Sequence, residues 1–136
     1  MENFVVKFEV PVDEIRSLLV GALEGGSNYW MRIENYKFPE GTTKDDFKTG
    51  KYAVKSSCGY WCIAYVLPFV ENGGVVIADD EDEKEYVLDL TKIQTGLQAM
   101  AVKAPRHFAD FISENHDAET SDVFLQMCLF GELVYG

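Results

Sequence analysis

Residues 72–90 read NGGVVIADDEDEKEYVLDL. An Asn-Gly-Gly turn signal opens this stretch, Val75, Val76 and Ile77 follow, and a second apolar run occupies Tyr86–Leu90. Between them lies Asp79 to Glu85, DDEDEKE, too charged to bury without partners. Two strand-type runs joined by a polar connector predict an antiparallel hairpin with its acidic tip in water. The hairpin makes part of the sheet antiparallel, and the segments on either side decide the class.

Upstream, Phe4, Val6, Phe8 and Val10 alternate with Val5, Lys7 and Glu9, the period of two expected of a first strand, which Pro11 ends. From Val12 the period changes. Ile15, Leu18, Leu19, Ala22 and Leu23 recur at helical spacing, with Asp13 and Glu14 in the first turn. Gly25 and Gly26 are expected to stop that helix, one of them in the left-handed conformation. Ser27–Lys37 reads as a strand with Tyr29, Met31 and Ile33 on one face and Trp30 with Arg32 on the other. Residues 38–57 form an irregular excursion with room for one helical turn. Tyr60–Val70 fits a buried strand or a short helix, and periodicity does not decide between them.

Downstream of the hairpin the pattern is helical. Thr91 opens a helix with Ile93, Leu97, Met100, Ala101 and Ala104 on one face. Pro105 ends it and starts another, whose Phe108, Phe111 and Ile112 point inward. Asp117 is placed to cap a last helix that is apolar around most of its circumference and therefore deeply buried. No repeat or linker divides the chain. The expectation is a single α+β domain over residues 1–136, a mostly antiparallel sheet with helices packed on one face.

The chain has 136 residues and a formal charge of −11. Such a surface repels phosphate backbones, which argues against direct binding of nucleic acid. Cys58, Cys62 and Cys128 are an odd set in apolar surroundings and read as reduced, structural thiols of a cytoplasmic protein. The opening MENFVVKFEV lacks the pattern of a secretory signal, and the Tyr60–Val70 run is too short to span a bilayer.

Motifs for chemistry are sparse. The acidic run lacks the alternating ligands and central glycine of a calcium loop, so it reads as a solvated tip. Cys58 and Cys62, with His107 and His116 far downstream, do not have zinc-ligand spacing. No phosphate-cradling loop or nucleophile elbow occurs. His107 with Asp110 offers an acid–base pair, but surface pairs of this type are common, and no catalytic residue, cofactor or metal is expected. The segment EGGSNYWMR, Glu24–Arg32, is richer: two glycines, a hydroxyl, an amide, two aromatics and an arginine suit a planar base and its phosphates. The plainer reading is that Tyr29 and Trp30 are core residues and the glycines cap a helix.

Two blocks, ALEGGSNYW (Ala22–Trp30) and DAETSDVFLQMCLFGELVYG (Asp117–Gly136), resemble signature blocks of a family of small acidic proteins of bacteriophages and prophages. The stretch from Tyr36 to about Glu71 has no counterpart there. The resemblance implies phage origin and no particular activity. Small phage accessory proteins without catalytic motifs often act against host defences, either by trapping nucleotide-derived signals or by presenting DNA-like negative charge to defence enzymes. The first reading takes a cyclic nucleotide or ADP-ribose derivative as its ligand. Ser27, Asn28, Tyr29, Trp30 and Arg32 then form the binding set, with Trp30, Arg32 and Asn28 lining one pocket and Tyr29 packed inward. Lys103 and Arg106 are further phosphate partners. Tight sequestration needs an enclosed pocket, which so small a domain would form most easily between subunits, so a homo-oligomer is expected. The alternative is an acidic inhibitor or DNA-mimic-like decoy.

Overall fold

A computed structural model describes residues 2–136. In chain order the elements are α1 (Val12–Gly21), β1 (Met31–Lys37), α2 (Lys44–Lys48), β2 (Lys55–Ser56), β3 (Gly59–Tyr60), β4 (Gly74–Asp79), β5 (Glu85–Leu88), α3 (Leu90–Lys103), α4 (Pro105–Ile112) and α5 (Ala118–Phe130). β1, β4 and β5 form an antiparallel sheet with β4 in the centre, and β2 pairs with β3 in a separate two-stranded ribbon. The hairpin expected from residues 72–90 is β4–β5, with Val75 opposite Leu88 and Ala78 opposite Glu85. The domain is α+β.

α5 is the centre of the molecule. Every residue from Thr120 to Leu129 is buried, as its near-continuous apolar surface requires. Asp117 caps it, its carboxylate accepting from the Thr120 backbone at 3.0 Å, and that bond holds the Asp117 pKa below its usual value. Gly131, at φ 74°, closes the helix in the left-handed conformation. Around α5 pack α1, α3, the sheet and the turn that follows α1. Two glycines approach the α5 backbone closely enough to leave no room for a side chain. A Cβ at Gly96 would lie 2.6 Å from the Cys128 Cα, and one at Gly26 would lie 2.4 Å from the Ala118 carbonyl oxygen.

Several sequence expectations need correction. Residues 2–10 form no strand, because no neighbouring strand supplies a ladder. Neither Gly25 nor Gly26 is left-handed; α1 instead ends in a wide turn over Ala22–Gly26, and the service of Gly26 is its contact with Ala118. Ser27–Trp30 is a turn, not the start of β1, with the Trp30 and Met31 amides donating to the Ser27 carbonyl at 3.1 and 3.2 Å. This turn breaks the alternation: Trp30 faces the core at 1% exposure, while Tyr29 is 59% exposed. Past Tyr60, which ends β3, the run to Val70 is neither strand nor α-helix but holds two 3₁₀ turns, Ile63–Tyr65 and Leu67–Phe69. Cys58 and Cys62 are exposed, and only Cys128 is buried, where desolvation raises its thiol pKa. Ile112 is also exposed, leaving Phe111 as the buried residue of α4.

Tight packing at Gly96 sets a testable cost. Gly96→Ala gains up to about 1 kcal/mol in helix propensity. It also drives a methyl into the backbone of α5, a type of overpacking that costs about 1–3 kcal/mol or more. The expected result is a lower denaturant midpoint with an unchanged slope; a stabilised variant would show that α3 and α5 are not in contact at this point.

Candidate functional site

Asp122 is the polar centre of the buried helix. It is 7% exposed, and its carboxylate accepts four side-chain hydrogen bonds. Ser27 Oγ and Trp30 Nε1 donate to Oδ1, each at 2.7 Å; Tyr29 OH and Gln126 Nε2 donate to Oδ2 at 2.6 and 3.1 Å. Three of the donors come from the Ser27–Trp30 turn, and the fourth lies one helical turn further along α5. The carboxylate also sits near the helix N-terminus, where the macrodipole favours negative charge.

Gln126, fully buried, extends the network to the C-terminal segment. Its Oε1 accepts from the Val134 and Tyr135 amides, both at 2.9 Å, and its Nε2 donates to the Tyr135 carbonyl at 3.0 Å. The Tyr135 ring stacks on Trp30 at 5.4 Å and 20°, and Phe130 packs on the indole at 5.2 Å. Tyr135 OH then donates to buried Asp79 at the end of β4. Residues 22–30 and 117–136 are thus physically one unit, joined through Asp122.

This network places the sequence-derived binding set, and it does not bring the set together. Ser27 is buried on Asp122, and Trp30 is sealed between α5 and Tyr135. Arg32 is exposed on β1, bound by Glu34, Asp80 and Glu83 at 3.0, 2.5 and 2.9 Å, and these bonds raise its pKa. The cavity that Trp30 and Arg32 were expected to share does not form. Asn28 is exposed. Lys103 donates to the Gly131 carbonyl at 2.7 Å, and Arg106 is exposed on α4. His107 does not pair with Asp110; its Nδ1 lies 3.4 Å from Thr120 Oγ1.

One residue of the set, Tyr29, does line a depression. A groove of about 520 Å³ runs between the Gly26–Tyr29 turn, the first half of α5, His107 and the C-terminal segment. Tyr29, Glu119, Asp122, Gln126 and Leu133 are among its walls. Among the described residues no lysine or arginine lines it, while two carboxylates do. Its chemistry suits a cation or a neutral donor better than a phosphate. Burial and the bond to Asp122 push the Tyr29 phenol up to about 12.

The sequence reading missed Asp122, Gln126 and Tyr135. A signal existed: Asp122 and Gln126 stand four apart within an otherwise apolar helix, and buried polar groups need partners. No known protein family, characterised protein or solved structure matches the chain.

The network makes two predictions. Asp122→Asn turns an amide towards donors and should lower stability by about 2–4 kcal/mol, with Trp30→Phe costing about 1–3 kcal/mol. Wild-type stability in both, measured by chemical denaturation, would contradict the network. The phenols of Tyr29, Tyr65 and Tyr135 also have raised pKa values, from burial and the bond to Asp122, from burial beside Glu24, and from the bond to Asp79 respectively. Groups whose folded pKa lies above the unfolded value stabilise fully below the unfolded value, near pH 10, and lose that contribution as pH rises through the folded value. Stability should therefore fall between pH 10 and 12. In Tyr29→Phe the fall should be shallower, with late tyrosinate absorbance reduced.

Proposed function

We propose that the protein is a non-enzymatic binding protein whose acidic hairpin engages a cationic, nucleic-acid-binding surface on a partner protein. The single observation that carries this reading is what Arg32 does. Its guanidinium straps Glu34 to Asp80 and Glu83, so it supports an acidic surface and is not presented to a phosphate. Around it, exposed residues 80–85 with Glu34 set six carboxylates against two cations, Arg32 and Lys84.

The tip is held in one shape. The Asp79 amide donates to the Lys84 carbonyl at 2.9 Å, and the Glu83 amide to the Asp79 carbonyl at 2.9 Å. Asp79 Oδ1 accepts from the Glu81 amide at 2.8 Å, and Asp82 Oδ1 from the Lys84 amide at 2.9 Å. Fixed charges bind with less ordering cost than charges on a floppy loop, and they steer a basic partner over distance. The resemblance to small acidic phage proteins supports a counter-defence role, with a host DNA-binding defence enzyme as the partner and the host cytoplasm as the setting. Among the described residues no helix is long and apolar enough to cross a membrane. Sequestration of a nucleotide signal loses support here, since its stacking ring is sealed and its cations are occupied or dispersed.

The test uses charge neutralisation that leaves the Arg32 strap intact: Glu81→Gln, Asp82→Asn and Glu85→Gln together. The wild type should retain DNA-binding host proteins, lose them steeply with added salt and release them to competing duplex DNA. The triple variant, equally stable, should not retain them. Retention indifferent to these three charges, or a thermal shift of several degrees with a cyclic dinucleotide or ADP-ribose, would overturn the reading.

A further inference from the structure

Residues 2–10, ENFVVKFEV, have strand periodicity and no strand. Phe4, Val5, Val6 and Phe8 are 94%, 82%, 76% and 58% exposed. No hydrogen bond among the described residues ties the backbone of this arm, and its anchors are Val10 on the core and Phe8 edge-on to Phe108 of α4 at 5.8 Å. A segment with no assigned secondary structure, unpaired amides and an alternating apolar pattern is a template for another strand.

We infer that the missing strand is the same arm of a second copy, so that two chains pair antiparallel through residues 4–8 about a two-fold axis at Val6. The sequence Phe4-Val5-Val6-Lys7-Phe8 is nearly palindromic about that residue. In this register Phe4 faces the partner's Phe8, Val6 faces the partner's Val6, and the apolar residues 4, 6 and 8 share one face. On that face only Phe8 touches the protomer, against Phe108, and Phe4 and Val6 stay free for the partner. The opposite face sets Lys7 against the partner's Val5 and Glu9 against the partner's Asn3, and no like charges meet.

Neighbouring registers are worse: an axis at Val5 sets Phe8 opposite the partner's Glu2 and loses the Phe4–Phe8 pair. An axis at Lys7 places two ammonium groups together. An axis at Phe8 brings Pro11, which has no amide hydrogen, opposite Val5 and leaves Phe4 without a counterpart. The four exposed apolar side chains offer roughly 500 Å² per copy, a ceiling of about 1,000 Å² for the pair, which is the size of a weak, reversible contact to which the ladder hydrogen bonds add. Self-complementarity is what a two-fold contact requires: one patch must serve both partners.

The full chain in sedimentation equilibrium across a concentration series should be a dimer. Val6→Asp sets two carboxylates on the axis and should abolish the dimer; because Val6 is exposed in the protomer, the monomer's unfolding should not change. Val6→Cys, in a background where exposed Cys58 and Cys62 are serine, should form a disulfide-linked dimer under mild oxidation, and Val5→Cys should not. A chain that is monomeric at every concentration overturns the inference. So does a dimer that survives Val6→Asp, or one in which Val5→Cys cross-links as readily as Val6→Cys.

Discussion

A carboxylate removed from water has to recover its hydrogen bonds from the protein, and in this fold Asp122 recovers them from one short turn and one helix. Ser27, Tyr29 and Trp30 converge on it because the turn after α1 aims three consecutive-region donors at one point. The charge stays buried without a cation, since four donors and the N-terminal half of a helix dipole share the load. Deleting the group would strand the donors; deleting a donor would strand part of a charge. The turn, the helix and the C-terminal segment are therefore mutually dependent.

That dependence extends to the sheet. Trp30 is locked by its bond to Asp122, Tyr135 stacks on Trp30, and the Tyr135 hydroxyl reaches Asp79 at the point where β4 gives way to the acidic tip. Asp79 accepts from the Tyr135 hydroxyl and from the Glu81 amide, so a buried helix and an exposed loop are coupled through a single carboxylate. The Asp80 amide donates to the Trp30 carbonyl at 2.8 Å, a second tie between the same two regions. The acidic surface is rigid because its base is part of the core.

What could be read from the sequence follows from locality. Hairpin β4–β5, the Asp117 cap and the burial of α5 all rest on signals within a few residues, and all are present. The placement of Trp30 was not local. Period-two alternation from Ser27 to Lys37 put Trp30 beside Arg32, yet four residues form a turn whose shape depends on Asp122, more than ninety positions away. The result is inverted: the indole goes in, Tyr29 goes out, and Arg32 joins the hairpin tip. The missing first strand has the same origin in reverse. Residues 4–10 have the correct pattern, but a strand needs a ladder partner, and no pattern within the segment supplies one.

The two surfaces proposed to make contacts obey opposite physics. An acidic tip meeting a basic partner gains from Coulomb attraction and weakens as salt screens it. Arm pairing joins two chains of net charge −11 through apolar side chains, so screening removes repulsion while burial is preserved or strengthened. Salt should therefore drive the chain towards its own copy and away from a cationic partner. The two contacts use different parts of the chain, one residues 4–8 and the other the β4–β5 tip. A dimer would then present two rigid acidic tips, and a partner with two basic surfaces would be held by both, with the second contact made at the effective concentration the first imposes.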